Sequence, residues 1–239
     1  MNQFYAPPAQ ISETEIILTE SEAQHAAKVM RKNIGEEILV TDGCGTRYTG
    51  LIEHAFKREL RASILEKKRF PKPKLNIELC LGLIRKRDRL EFAAEKATEL
   101  GVSSISLFHA DHTEPFKVRV DRVEAAVLSA MKQSLRVYLP KVRLFDSLDD
   151  VLDRDLTRTQ IIQADVDGGT KVDLSREDTE DVLMVVGPEG GLSEREEKLL
   201  KRKNARRISL GDFRLRAETA AMMMAVKFGI NKADPDRSA

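Results

Sequence analysis

The stretch Val182-Leu183-Met184-Val185-Val186-Gly187-Pro188-Glu189-Gly190-Gly191-Leu192-Ser193 decides how the chain is read. An apolar run stops in a Gly/Pro turn and gives way to a helical pattern at Ser193. Buried strands end and helices begin in this way. Gly190 and Gly191 carry no Cβ, so backbone amides there can approach a ligand closely and adopt positive φ. Ser193 with Glu196 has the spacing of a capping box. A bare backbone loop at the carboxyl end of a strand is where open α/β sheets place their ligands. The glycines alone also fit an ordinary helix-entry turn, so the neighbouring segments carry the decision.

Around this stretch, strands and helices alternate. Strands are expected at Ile77 to Ile84, Ser104 to Phe108, Val142 to Leu144, Gln160 to Ala164, Val182 to Val186 and Arg207 to Leu210. Helices are expected over Arg89 to Leu100, stopped by Gly101, over Val120 to Arg136, and from Ser193 and about Ala217. Such alternation predicts an α/β domain with a mainly parallel sheet. The first 70 residues read instead as a small β-rich unit. Ile16 to Leu18 and Ile38 to Val40 are apolar runs, Asp42-Gly43 is a hairpin-type turn, and two strands follow within Arg47 to Leu65. Between the first two runs, Thr19 and Glu22 cap a short helix carrying Ala23, Ala26, Ala27 and Met30. Pro71 and Pro73 mark a linker over 71–75, which leaves 76–239 as the second domain. The polar end from Asn231 to Ala239 is expected to fray.

Composition excludes several classes. Of 239 residues, 41% are hydrophobic and 33% charged, ordinary values for a folded soluble chain. No apolar stretch nears the roughly 20 residues a bilayer requires. Met1 to Pro8 lacks the order of a secretory signal. Cys44 and Cys80 form no disulfide framework, and the histidines have no metal-ligand spacing, so neither a membrane nor a metal is expected and the compartment reads as cytoplasmic. Net charge is +1, but basic residues gather from Lys57 to Lys74 and again from Glu197 to Arg216. Acidic residues gather from Asp146 to Asp181. That segregation suits a phosphate-binding face as well as it suits solvated surfaces.

Three loops fall at the ends of consecutive late strands: Gln163-Ala164-Asp165, Gly187 to Gly191, and Leu210-Gly211-Asp212 running on to Leu215-Arg216-Ala217-Glu218-Thr219. In a parallel sheet these ends lie on one edge. The site is rich in backbone donors and acceptors and suits an adenine edge and a ribose. The Walker-type GxxxxGK[ST] and the Rossmann GxGxxG are both absent.

The late trio, Gly187-Pro188-Glu189-Gly190-Gly191-Leu192-Ser193, Leu210-Gly211 and Leu215-Arg216-Ala217-Glu218-Thr219-Ala220-Ala221, resembles the SPOUT methyltransferases. Within them it is most similar to the RsmE family of 16S ribosomal RNA (uracil-N3)-methyltransferases. Lys96 to Val102, Gln133-Ser134 with Arg136 and Pro140, His25 with Val29-Met30-Arg31, and Asp42-Gly43 agree with that family in order. The resemblance implies a PUA-like β-barrel followed by an α/β domain whose segment at about 160–230 is tied in a trefoil knot. It also implies a homodimer that binds S-adenosylmethionine and acts on 16S rRNA or the small ribosomal subunit. On the same basis Ala164, Gly187, Pro188, Glu189, Gly190, Leu210, Gly211, Leu215, Arg216 and Thr219 are the cofactor-binding candidates. Two places depart from the family pattern: Lys132, where an acidic residue is common, and His109-Ala110-Asp111-His112-Thr113.

The reaction asks for alignment of uracil N3 with the methyl group and for help in removing the N3 proton. Arg216 and Glu218 are the catalytic candidates. Arg216 would hold the uracilate oxygens or a phosphate, and Glu218 would take the proton or orient Arg216, so that replacing Glu218 with Gln would cut turnover. A first-turn helix carboxylate paired with an arginine is the competing reading of Glu218. The RNA-contact candidates are Arg31, Lys67, Lys68, Arg69, Arg85, Lys86, Arg87, Gln133 and Arg136. His25 reads as structural. A SPOUT ribose 2′-O-methyltransferase and a non-catalytic RNA-binding assembly factor are the alternatives.

Overall fold

A computed structural model describes residues 3–114, 116–169 and 181–229. The end expected to fray and part of the expected knot span lie outside these residues. The chain divides into two compact units. One comprises Met1–Lys72 with Met131–Leu139, the other Pro73–Ala130 with Pro140–Ala239. Sequence reading assigned 131–139 to the second domain, whereas this segment packs with the first. The Gln3 side-chain amide donates to the Arg136 carbonyl at 2.7 Å, and the Tyr138 hydroxyl donates to the Phe70 carbonyl at 2.9 Å. Pattern-reading along a chain gives no sign of such a long-range docking.

In the first unit, β1 (Gln3–Tyr5), β2 (Glu15–Thr19), β3 (Glu37–Thr41), β4 (Thr46–Ala55) and β5 (Glu59–Arg69) form one sheet in the order β1-β3-β4-β5-β2. All five strands send side chains into a single cluster that includes Phe4, Ile16, Leu18, Ile38, Val40, Ile52 and Leu60. A sheet that buries one face of every strand in one cluster must curl around it. The turn after β3 is tied by Asp42 Oδ1, which accepts from the Cys44 and Thr46 amides. The helix after β2, α1 (Glu20–Gln24), continues as a π-helical turn over His25–Val29. Thr19 is its N-cap residue but makes no side-chain cap bond, contrary to expectation. Glu22 is instead occupied by the Tyr5 amide and an ion pair with Lys132.

The second unit carries β6 (Asn76–Gly82), β7 (Ser104–Phe108), β8 (Lys141–Phe145), β9 (Thr159–Gly169), β10 (Asp181–Val186) and β11 (Arg206–Ile208). They form one sheet, all parallel, in the order β11-β9-β10-β6-β7-β8. β10 is buried from Val182 through Val186, as expected of an apolar run covered on both faces. The helices are α2 (Arg87–Glu99), α3 (Val120–Gln133), the short α4 (Leu148–Leu152) not foreseen from sequence, α5 (Glu194–Arg202) and α6 (Ala217–Gly229). Helices α4 and α5 cover Cys80, Ile161, Leu183 and Val185 through Leu148, Val151, Leu152, Leu199 and Leu200. Helix α6 lies on β6 and β10 with α2 packed beside it. Chain order runs outward from β6 to β8 and then returns to the other side of β6. The carboxyl half of β9 and the loops after β10 and β11 therefore gather on the side of the sheet where strand order reverses, the place such sheets use for ligands.

Candidate active site

Those three segments enclose a cavity of about 480 Å³; Gln163-Ala164-Asp165, expected as a loop, is strand, because β9 runs on to Gly169. It is lined by Ala164, Gly187, Pro188, Glu189, Leu210, Gly211, Leu215 and Arg216, all expected from sequence, together with Asp165, Val166, Asp167, Val186, Gly191, Leu192, Arg207 and Phe213. Segments far apart in the chain thus converge as the motif reading required. Gly190 and Thr219 do not line it. Gly190 faces the loop after β7, where a Cβ would sit 3.3 Å from His112 Cβ, so its missing side chain serves close packing rather than a ligand.

The strand-turn-helix stretch folds as its chemistry dictates. The Gly191 amide donates to the Pro188 carbonyl at 2.9 Å, and Gly191 takes a φ of +75°, a left-handed conformation that favours glycine. The capping box closes in both directions: the Glu196 amide donates to Ser193 Oγ, and Glu196 Oε2 accepts from the Ser193 amide at 2.8 Å. Glu196 is fully buried, and its second oxygen accepts from the Asp111 amide at 3.2 Å. Asp111 in turn accepts from Ser193 Oγ at 2.5 Å and takes two bonds from Arg195, which also reaches Asp149. Its hydrogen bonds from Arg195, then Ser193, hold the Asp111 carboxyl at about 2. The segment His109–Thr113, a departure from the family pattern, is therefore a brace for this loop. Sequence reading missed it because nothing local links Asp111 to Ser193. Gly82, also missed, completes the support: a Cβ on this last residue of β6 would lie 2.5 Å from Pro188 Cδ and 2.7 Å from Pro188 N.

The third loop is held differently. Gly211 has a φ of +138°, and a Cβ there would meet nothing within 4 Å. Ser209 Oγ donates to the Gly211 carbonyl at 3.1 Å, and Arg214 reaches the Glu189 carbonyl at 3.5 Å. Arg207 is paired with Asp165 at 2.6 Å, which raises its pKa through that hydrogen bond. The Arg216 side chain is exposed and pairs with no carboxylate among the described residues. Glu218 is placed otherwise than its proposed role as a base requires. It is buried, does not line the cavity, and lies 3.5 Å from Arg89 Nε on α2. In α6, Ala217 and Ala220 face the cavity, and helical phase turns residue 218 away from it.

The donor set fits a folded nucleoside bearing an amino acid. Val186, Leu192, Leu210 and Leu215 give apolar walls, strand-end backbone gives donors and acceptors, and Asp165, Asp167 and Glu189 suit hydroxyls or a cationic group. Among the described residues no lysine lines it, as a triphosphate would favour.

The remaining RNA-contact candidates are scattered. Lys67, Lys68 and Arg69 are exposed along β5; Lys67 stacks over Tyr48 and Lys68 over Phe70. Arg31 is exposed with φ +52°, and Gln133 is exposed at the end of α3. Arg136 is half-buried. In the second unit Arg85 is paired with Glu114 and Arg87 with Glu91, while Lys86 is the N-cap residue of α2. His25 packs edge-on against Phe4, the structural role expected of it.

A chain with this all-parallel sheet and cleft and a curled β unit falls in the class of RNA methyltransferases that carry a PUA domain. A family model for the RNA methyltransferase domain matches residues 71–228, and one for the RNA methyltransferase PUA domain matches 18–65. The chain belongs to the RsmE family, the ribosomal RNA small subunit methyltransferases E. The Mycobacterium bovis member is 30% identical over 91% of this chain and 87% of its own, and that of Rickettsia conorii 26% identical over 92% of each. The crystal structure of the Neisseria gonorrhoeae enzyme bound to S-adenosyl methionine is 27% identical, with a TM-score of 0.84 over 95% of this chain and 96% of that one.

Proposed function

We propose that the protein transfers a methyl group from S-adenosylmethionine to N3 of a uracil in 16S ribosomal RNA. The observation that carries this is the convergence of the carboxyl half of β9 with the loops after β10 and β11 on one cavity in a chain of this family. When bound, S-adenosylmethionine supplies a methyl group already made electrophilic by the sulfonium. The protein's work is then alignment and charge stabilisation. Gly187 and Gly191 let backbone close on the ligand, and the apolar walls exclude water from it. Arg216, at the cavity and free of an acidic partner among the described residues, holds the uracil oxygens as N3 loses its proton. The proton passes to a carboxylate of the cavity wall or to solvent. Glu218 acts on position: its ion pair with Arg89 fixes the start of α6, directly after Arg216.

The first unit grips RNA through the exposed Lys67, Lys68 and Arg69, with Arg31, Gln133, Arg136 and the Arg85-Lys86-Arg87 segment adding phosphate contacts. A trefoil knot over about 160–230 is part of this proposal; within that span β9 and β11 pair in parallel, and a Cβ on Gly168 would lie 2.5 Å from the Ile208 backbone. The homodimer has support in Phe92, Met223 and Val226, large apolar side chains left exposed on α2 and α6. Sedimentation tests that assembly. The activity is tested by incubating the protein with labelled S-adenosylmethionine and small ribosomal subunits, then mapping the methyl on product nucleosides. Label on N3 of uridine is expected; label on a ribose 2′-oxygen would reassign the reaction, and no binding of S-adenosylmethionine by calorimetry would leave an RNA-binding factor. RNA affinity should fall steeply with salt if the basic clusters touch phosphates.

A further inference from the structure

Phe213 is the most exposed large apolar side chain among the described residues, at 84%. It nevertheless lines the cavity, within the loop that carries Gly211 and Arg216. Val166, on the same cavity, is 64% exposed. Isolated apolar residues on a surface need no explanation, but an aromatic ring left in water at the mouth of a binding cleft has a large apolar area available to a partner. The interior walls are already supplied by Val186, Leu192, Leu210 and Leu215, so the ring is not required to enclose the cavity. The chain that follows it is cationic: Arg214 is exposed and reaches back to the Glu189 carbonyl, and Arg216 is exposed as well, while Asp212 before it is an exposed acid.

An aromatic face in a loop that also carries guanidinium groups is the chemistry that receives an unstacked nucleobase with its phosphates. A base buried in an RNA stack cannot present N3 to a methyl donor held in a cleft, so it must leave the stack and be received elsewhere. We propose that Phe213 is the platform on which the target base stacks when it leaves the RNA, with Arg214 and Arg216 taking the adjacent backbone and the base edge. This inference rests on the function proposed above and adds a substrate-positioning residue to it. Stacking is tolerant of base identity, so Phe213 contributes affinity and orientation, and polar groups of the cleft choose uracil.

The chain contains no tryptophan, so Phe213→Trp creates a single fluorescent reporter at an exposed position. The probes are a small-subunit ribosomal RNA transcript and S-adenosylmethionine, each added alone. The reporter's emission should be quenched by the RNA over the same concentration range as binding measured by filter retention, and unchanged by S-adenosylmethionine. Phe213→Ala should lower kcat/KM for RNA about tenfold with cofactor affinity by calorimetry unaltered. Quenching by S-adenosylmethionine alone would make the ring a cover for the cofactor and overturn the proposal. A shift in emission on diluting the protein without RNA would make it a subunit contact, with the same consequence. RNA that binds and is methylated while emission stays constant would also overturn it, yet leave the enzymatic reading intact. A wild-type protein that binds S-adenosylmethionine but methylates no RNA would remove both.

Discussion

The loop after β10 and the loop after β11 face the same cavity, but they are built to opposite standards. The first is fastened from below and behind. Gly82 lets β6 touch Pro188, the buried Glu196 ties Ser193 to Asp111, and Arg195 locks Asp111 to Asp149. The second has its charged and aromatic side chains in solvent and, among the described residues, one side-chain hydrogen bond to the loop after β10, from Arg214 at 3.5 Å. A pre-formed wall costs nothing to organise when a small ligand arrives, whereas a loose rim can adapt to an RNA strand. On the function proposed above, the firm loop serves the cofactor together with the Leu210 and Leu215 walls, and the exposed side chains of the freer loop are left for the nucleic acid.

The comparison breaks most visibly at Arg216. Truncation to Ala should lower kcat by about 100-fold, in the range for loss of one charge-stabilising donor, with S-adenosylmethionine affinity changed by less than about threefold. Single-turnover methylation and calorimetry measure the two quantities separately. A loss confined to cofactor affinity would move Arg216 to the firm side of the site.

On that firm side, Gly82→Ala forces a methyl group to within 2.5 Å of Pro188. Part of the clash is with backbone, which cannot rotate away. The expected cost is about 2 kcal/mol of stability, together with weaker S-adenosylmethionine binding. Thermal unfolding and calorimetry check both, and wild-type values would mean that the loop after β10 gives way more easily than its fastenings suggest.

Asp111→Asn tests the brace more gently and carries a pH signature. Loss of the charged hydrogen bonds should cost about 1–2 kcal/mol at neutral pH. Because the folded carboxyl is lowered from 3.8 to about 2, the unfolded chain takes up its proton first as the solution is acidified. The stabilisation is therefore complete above about pH 4 and lost between about 4 and 2. The gap in melting temperature between wild type and variant should be constant from pH 8 to 5 and narrow only below 4. A gap that closes near pH 6 would point to another group.

These two loops also show what the chain discloses before folding. The loop after β10 was legible because its parts are consecutive: an apolar run, a Gly/Pro turn and a capping box four residues long. The site as a whole was legible because a parallel sheet brings strand ends together whatever their spacing. Asp111, Arg195 and Gly82 were not legible, since their partners lie tens of residues away and no periodicity marks them. Gly190 and Thr219 were drawn into the cavity by motif adjacency, and the packing of His112 and the phase of α6 keep them out of it. The docking of Met131–Leu139 on the first unit was hidden for the same reason.

Glu218 offers the finest test. As the acid nearest the Leu215-Arg216 motif it reads as a base, yet its carboxylate is buried, turned toward Arg89 at 3.5 Å, and absent from the cavity wall. One of its oxygens, Oε2, has no hydrogen-bond partner among the described residues. A group that never meets the substrate cannot receive the N3 proton, however well its acidity is matched. Glu218→Gln keeps the shape and a neutral acceptor for Arg89, so kcat should fall by no more than about threefold and its pH profile should keep its form. Stability should drop by less than about 1 kcal/mol, as for other weakly coupled ion pairs. A hundredfold fall in kcat with an altered acidic limb would instead mean that α6 turns on binding RNA and carries Glu218 into the cleft, which would extend the looseness of the loop after β11 into the helix it leads.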